Sequence, residues 1–261
     1  MDFEFFKYHG AGNDFIIIDN RKKVFPKEKR TELIQNLCHR KFGIGSDGLI
    51  LLDNDPEYDF YMDFYNPDGS QSFCGNGSRC VVMFASHLGI VRKECTFRSI
   101  HGINKAEVYD DINVKLQMFD VDKIEITKDF HFMNTGSPHY NVFVDELENI
   151  DIIPYAHRIR FNERFKEKGT NVNLICKSNK GIKIRTYERG VEDETWACGT
   201  GATAAAISYA VENDLVGNNK ISVETKGGNL FITYSTEDLQ LFTNIHLIGP
   251  AEFVYKGEMD V

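Results

Sequence analysis

The sequence predicts an α+β protein made of two pseudo-symmetric lobes, each a buried central helix wrapped by strands. Three observations carry that expectation. Short strand-like runs fill most of the chain, two helical segments have no polar face, and ordered motifs recur at a spacing of about 125 residues. At 261 residues the chain holds one large domain or two lobes of about 130 residues each. A hydrophobic content of 42% and a charged content of 26% belong to a globular protein, not to a disordered or fibrous one.

Strand patterns open the chain at residues 3–9 and 15–19. Residues 28–38 follow as a surface helix, with Leu33, Ile34 and Leu37 on one stripe. Strand patterns return at 49–52 and 58–65, the latter with Phe60, Met62 and Phe64 on one face. Residues 75–88 are the first buried helix, because Val81, Val82, Met83, Phe84 and Ala85 make it apolar all the way round. Strands are expected at 96–100, 105–109, 113–117, 130–134 and 140–144, then a mixed stretch, then 173–177 and 181–187. Residues 199–212 are the second buried helix. Its Ala202, Ala204, Ala205 and Ala206 are small enough to let neighbouring strands approach closely. Strand patterns at 220–225, 229–235, 239–245 and 251–256 complete the set.

The repeat is carried by three anchors in the same order. Cys74-Gly75-Asn76-Gly77 opens the first buried helix and Cys198-Gly199-Thr200-Gly201 the second. Tyr65-Asn66-Pro67-Asp68-Gly69 precedes one, and Tyr187-Glu188-Arg189-Gly190 the other. Further upstream, Gly12-Asn13-Asp14-Phe15 is echoed by Gly136-Ser137-Pro138-His139, each leading into a strand pattern. The boundary is expected between Gln117 and Phe130. That gives an N-terminal lobe over 1–120 with Cys74 and a C-terminal lobe over 121–261 with Cys198, the last strands near 246–261 being able to return to the first lobe.

Charge and cysteine usage narrow the function. Thirty Lys and Arg stand against 39 Asp and Glu, and the net charge of −9 offers no basic face for a nucleic acid or an anionic membrane. Apolar runs fall far short of the ~20 residues that span a bilayer, and the N-terminus lacks a signal-peptide pattern. A soluble, cytoplasmic protein is expected. The six cysteines include no C-x-x-C pair, so reduced thiols are the default and a zinc knuckle lacks its minimum spacing. The acidic pairs Asp110-Asp111 and Asp120/Asp122 have no metal-ligand spacing, and no metal site is expected. The run from Gly43 to Gly48 matches G-x-G-x-x-G, but a helix end precedes it and a strand pattern follows, so it reads as a turn and not as a dinucleotide site.

The two C-G-x-G turns carry the chemistry. Glycine permits the tight turn, and the helix behind it directs unsatisfied N–H groups and a positive dipole end outward. That setting favours an anion, either a bound carboxylate or the thiolate of Cys74 or Cys198. If the lobes face each other across a pseudo-twofold axis, both thiols point into one cleft, one on each face of a ligand's α-carbon. Inverting a stereocentre needs a base on one side and an acid on the other, which suits a cofactor-independent racemase or epimerase. Either cysteine alone would read as a small buried hydrophobe at a helix start. Cys80, about one and two-thirds turns past Cys74, points away from that face and is expected in the core with Cys38, Cys95 and Cys176. Trp196 reads equally as a screen for Cys198 or as a core anchor. His101, His131, His157 and His246 carry no functional signal.

The blocks HGAGNDFIIID, FYNPDGSQSFCGNGSRC, GSPH, TNVN and RTYERGVEDETWACGTGATAAA resemble the signature blocks of diaminopimelate epimerases, in the family's order. The resemblance implies two similar lobes of mainly antiparallel strands around a helix, commonly a homodimer. It implies interconversion of LL- and meso-diaminopimelate without PLP or any other cofactor, a step towards lysine and peptidoglycan. Cys74 and Cys198 would then be the acid/base pair. Gly75, Asn76, Gly199 and Thr200 would hold the reacting carboxylate through backbone N–H groups. Asn13, Asn66, Asn171, Glu188 and Arg189 would line the rest of the substrate site, Arg189 gripping a distal carboxylate. His139 and Glu188 would tune the thiols, an imidazolium lowering a thiol's pKa and a carboxylate raising it. Two departures stand out: Gly48 where many relatives carry Gln, and Ser137 where they carry Asn.

Three other functions compete. Proline or hydroxyproline racemases use two cysteines but need only one carboxylate contact, and the phenazine-biosynthesis isomerases keep only one thiol. A non-catalytic amino-acid-binding or thiol-redox module is the reading from another class.

Overall fold

The computed structural model describes residues 2–260; Met1 and Val261, the outer ends of the two expected lobes, lie outside the described residues. The chain divides into two compact units, one running up to Leu116 and resuming at Gly249, the other Gln117–Ile248.

In the first unit, β1 (Asp2–Gly10) and β2 (Asn13–Asp19) form a hairpin in which Gly10 faces Asn13. Helix α1 (Arg30–Cys38) then crosses over to β3 (Gly48–Asp53), which runs parallel to β2. β4 (Phe60–Tyr65) is antiparallel to β3, and α2 (Gly75–His87) crosses over to β5 (Glu94–Ser99), parallel to β4. β6 (Gly102–Val108) and β7 (Asn113–Gln117) add antiparallel neighbours. Parallel pairing requires a crossover, and the two helices are those crossovers. Ile16, Ile18, Leu49 and Leu51 form a core with Ile34 and Leu37 of α1, while Phe15, Ile17 and Ile50 on the alternate positions are equally buried. A strand buried on both faces reads as a continuous apolar run, as Phe15 to Ile18 does. The second covering helix is α2, which packs on β1, β2, β3, β4 and β6 and on the chain's last strand, residues 252–260.

The second unit repeats this order. β8 (Ile124–Ile126) pairs with β9 (His131–Asn134), and β9 with β10 (Pro138–Phe143), all antiparallel. Helix α3 (Ile152–Arg160) crosses to β11 (Asn171–Ser178), parallel to β10, and β12 (Gly181–Glu188) is antiparallel to β11. After the short β13 (Asp193–Thr195), α4 (Gly199–Glu212) crosses to β14 (Gly217–Thr225), parallel to β12. β15 (Gly228–Thr236) and β16 (Thr243–Pro250) follow antiparallel. The last strand, β17 (Glu252–Asp260), belongs to the first unit and pairs antiparallel with β1, as β8 pairs with β9. Most ladders in each unit are antiparallel, in agreement with the expected fold class.

Several expectations need correction. The mixed stretch after residue 144 contains α3, whose Ile152 and Ala156 pack on Leu147, Val172, Leu174 and Tyr187. The surface helix begins at Arg30 because Lys29 takes a left-handed backbone (φ 49°), which stops the helix from extending to Glu28. Cys176 is half-buried, its thiol reaching the Asp145 carbonyl at 3.1 Å, so it is not a core residue as Cys38, Cys80 and Cys95 are. Trp196 is 55% exposed under the Lys226 ammonium, which removes the core-anchor reading.

Candidate active site

Cys74 and Cys198 are the N-cap residues of α2 and α4, with nearly identical backbone angles: φ −130°, ψ 112° and φ −125°, ψ 113°. The N-cap conformation is extended, so each thiol leaves the helix axis beside the first unsatisfied N–H groups. All six cysteines are thiols.

Around Cys74, each protonation state of the sulfur has a partner. The Gly77 N–H donates to Sγ at 3.4 Å, and the thiol donates to Asn13 Oδ1 at 3.7 Å. Asn76 Nδ2 donates to the same Oδ1 at 3.1 Å, which brings Asn13, Asn76 and Cys74 together at the start of α2. The orientation of the Asn13 amide is set from behind, because its Nδ2 donates to Asp47 Oδ2 at 2.8 Å. Arg40 bridges Asp47 and Asp14 at 2.6 Å each, and Lys7 reaches Asp14 at 2.6 Å. Burial would raise the Asp14 carboxyl, but its bonds to Arg40 and Lys7 hold it below the usual range. Asn66 is turned to its own loop, donating to Ser70 Oγ at 3.0 Å and Ser72 Oγ at 3.1 Å. Gly75 is the first helical residue, its N–H among the outward donors.

Around Cys198 the partners form a chain. Cys198 Sγ lies 3.4 Å from Thr200 Oγ1, and Thr200 Oγ1 lies 2.9 Å from His139 Nε2. Asn171 Nδ2 is 3.2 Å from the same Nε2, and its Oδ1 accepts the Arg189 backbone N–H at 2.8 Å. The parallel register of β10 and β11 sets His139 beside Asn171 and Asn141 beside Asn173, so the side chains share one face. Asn173 Nδ2 contacts His139 Nδ1 at 3.1 Å, and Thr135 Oγ1 fixes the Thr200 carbonyl at 2.8 Å. The Arg189 side chain is exposed and anchored by an Nη1 bond to the Lys168 carbonyl at 2.7 Å, while Glu188 ends β12 opposite Asp193. Gly199 opens α4 and is buried.

His139 is fully buried, and burial, then the Arg189 charge, push it down to about 3, against a smaller upward effect of its bond with Asn173. It is therefore a neutral imidazole, not the imidazolium of the sequence reading. Any effect on Cys198 runs through hydrogen bonds by way of Thr200. Gly48 also has a physical explanation: a Cβ there would lie 2.5 Å from the Phe64 ring, so the space is already filled.

Sequence reasoning missed Asp47, Asn173 and Thr135 as supports. Asn173 had a signal, standing two residues from Asn171 in a strand pattern, whereas Asp47 sat inside a stretch read only as a turn. Among the described residues no cluster of three or more His, Cys, Asp or Glu could hold a metal ion, and no helix is long and apolar enough to cross a membrane.

The sequence model of the family described as Diaminopimelate epimerase matches residues 5–124 and 131–254. A diaminopimelate epimerase of Flavobacterium psychrophilum is 47% identical, covering 96% of this chain and 98% of that one. One from Aquifex aeolicus is 42% identical over 98% of this chain and 97% of its own. Among solved structures, a phenazine biosynthesis protein of the PhzF family from Bacillus anthracis superposes with a TM-score of 0.79 at 15% identity, covering 100% of both chains. A hydroxyproline epimerase from Agrobacterium vitis gives 0.73 at 15% identity, over 98% of this chain and 92% of that one. Those two likenesses concern the fold alone. With the family model matched in both units and identities above 40% over nearly the whole length, the chain belongs to the diaminopimelate epimerase family.

Proposed function

We propose that this protein interconverts LL-2,6-diaminopimelate and meso-diaminopimelate by a two-base thiol/thiolate mechanism, in the making of lysine and peptidoglycan precursors. The observation that carries the reading is the pair of cysteines held in one backbone geometry at the N-termini of two equivalent buried helices. Cys74 belongs to the N-terminal lobe and Cys198 to the C-terminal lobe. One sulfur, as thiolate, removes the α-proton, and the C–H electron pair moves into the adjacent carboxylate. The N–H groups of Gly75, Asn76, Gly199 and Thr200 stabilise that added charge. The other sulfur, as thiol, returns a proton to the opposite face, and the two exchange protonation states. Asn13, Asn66, Asn171 and Glu188 fix the amino-acid ends and Arg189 takes the distal carboxylate. His139 and Glu188 tune the thiols. The thiols supply the acid and base themselves, so the reading calls for no cofactor.

A cytoplasmic setting fits six cysteines that are all thiols. A homodimer fits the exposed Phe253, Val254 and Tyr255 along β17. Light scattering should return twice the 29.9 kDa chain mass, and Tyr255→Asp should bring it down to one chain. A wild type that runs as a single chain would overturn the dimer.

The activity is tested with reduced protein and LL-diaminopimelate in D₂O, following α-deuterium and meso product. Wild type should exchange and epimerise, and Cys74→Ala and Cys198→Ala should each lose epimerisation by at least about 10³-fold. A folded protein that exchanges nothing sinks the assignment, and proline becomes the next substrate to try.

A further inference from the structure

Helix α2 carries a charge that the reaction above does not use. Arg79 lies five residues beyond Cys74 and is completely buried. Its Nε donates to the Pro250 carbonyl at 3.4 Å, and its Nη1 and Nη2 have no hydrogen-bond partner among the described residues. Gly10 leaves room for it, since a Cβ there would stand 3.1 Å from Nη2. Gly10 is also the register partner of Asn13, so the guanidinium lies against the end of the hairpin that presents Asn13 to Cys74.

A guanidinium keeps its proton even when buried, and an uncompensated buried charge costs several kcal/mol. The carboxylates on the strands around α2 do not compensate it. Asp14 on β2 is held by Lys7 and Arg40, Asp53 on β3 by Lys23, Asp63 on β4 by Arg30, and Glu107 on β6 by Lys93 and Lys115. At the far ends of the hairpin, Glu4 is held by Lys256 of β17 and Asp19 by Arg21. On β17, Glu252 and Glu258 are at least partly open to solvent. His9 on β1 and Lys105 on β6 supply no anion, and burial pushes the phenols of Tyr8 and Tyr65 upward. The groups that offset the burial of its charge are two thiols, Cys80 next to it in sequence and Cys74 at the N-cap of the same helix. Cys80 is fully buried and its thiol is pushed far above the usual range, so it stays S–H. Cys74 is partly exposed, caps a helix N-terminus and accepts the Gly77 N–H, so of the two sulfurs it is the one placed to carry an anion.

We propose that Arg79 is a positioning charge, a buried counter-cation that stabilises the thiolate of Cys74. The proposal rests on the reading of Cys74 as an acid/base group. It deepens that reading by naming a charge that holds the sulfur ionised beside the Asn13 amide and the Gly77 N–H.

The test is the pH profile of iodoacetamide alkylation, read at the Cys74 peptide by mass spectrometry, in wild type, Arg79→Met and Arg79→Lys. Removing the charge should raise the Cys74 midpoint by about one unit, slowing alkylation about tenfold at pH 7. Lys should restore the rate to within about threefold, because it keeps the charge though not the shape. A folded R79M protein that alkylates at the wild-type rate, or an R79K protein as slow as R79M, overturns the proposal, since a merely structural arginine would leave the midpoint unmoved. If R79M does not fold, Arg79→Gln takes its place: a midpoint raised by about one unit supports the proposal, and one at the wild-type value overturns it. No substrate enters the assay, so a failure here leaves the epimerase reading standing. Absent α-deuterium exchange would count against that reading without touching the thiol profile.

Discussion

His139 illustrates how register decides the state of a single residue. The parallel pairing of β10 with β11 places it beside Asn171, with Asn173 one step further on the same face, and burial does the rest. Its folded pKa of about 3 lies below the unfolded value near 6.5, so folding favours the neutral ring. The stability this contributes is fully present above about pH 6.5 and is lost as pH falls through the window towards 3, at up to about 1.4 kcal/mol per unit. His139→Gln removes that dependence. Urea unfolding at pH 6.5 and 4.5 should show wild type losing about 2 kcal/mol more than the variant across the interval. Equal losses would mean that the ring is charged in the folded state. Gly48 is the complementary case, where a missing side chain is explained by a neighbour. Phe64 fills the volume that a Cβ would need, so glycine at this position follows from its neighbour.

At the scale of elements, legibility followed hydrophobic pattern. The two buried helices were read to within one residue because a segment apolar on every side has only one place to go, and α2 and α4 cover 75–87 and 199–212. Helix α3 was missed although Asp151 precedes it, Pro154 sits in its first turn and His157, Arg158 and Arg160 close it. Only Ile152 and Ala156 are fully buried there, so the stripe that would announce a helix is too thin. β8 and β13, three residues each, are too short for a two-residue period to register. Strand direction was equally unreadable from pattern, since parallel and antiparallel strands share one period. It follows only from α1, α2, α3 and α4 each standing between the strands they join. The residues proposed to act were legible as motif blocks. Their supports were not, because Asp47 and Asn173 work through contacts that only the folded registers create.

Over the whole molecule, the two units share one sequence of strand pairings but differ in how the first strand is completed. In the second unit, β8 comes just before β9 in the chain and covers it. In the first, β1 receives β17 from the other end of the sequence, with Tyr8 against Phe253 and Phe5 against Tyr255 at ring distances of 5.5 and 6.0 Å. The Ile112 carbonyl accepts the Ala251 N–H at 2.7 Å, and Arg79 reaches the Pro250 carbonyl, so the returning segment is bonded to the unit at three places. The consequence is an asymmetry in autonomy. Residues 117–248 contain β8 to β15 whole and β16 up to Ile248, its last residue paired with β15, and should fold alone, with a cooperative urea transition and native-like near-ultraviolet dichroism. Residues 1–116 lack β17, leave one edge of β1 unpaired over Phe3 and Phe5, and should stay only partly ordered until a peptide of residues 249–261 is added. Closing the sheet in this way spans nearly the full chain, and such long-range pairing is slow to form, so the first unit should also be the later one to complete in refolding. A 1–116 fragment that unfolds cooperatively without the peptide would show that β17 is an ornament on a unit already stable, and the asymmetry would vanish.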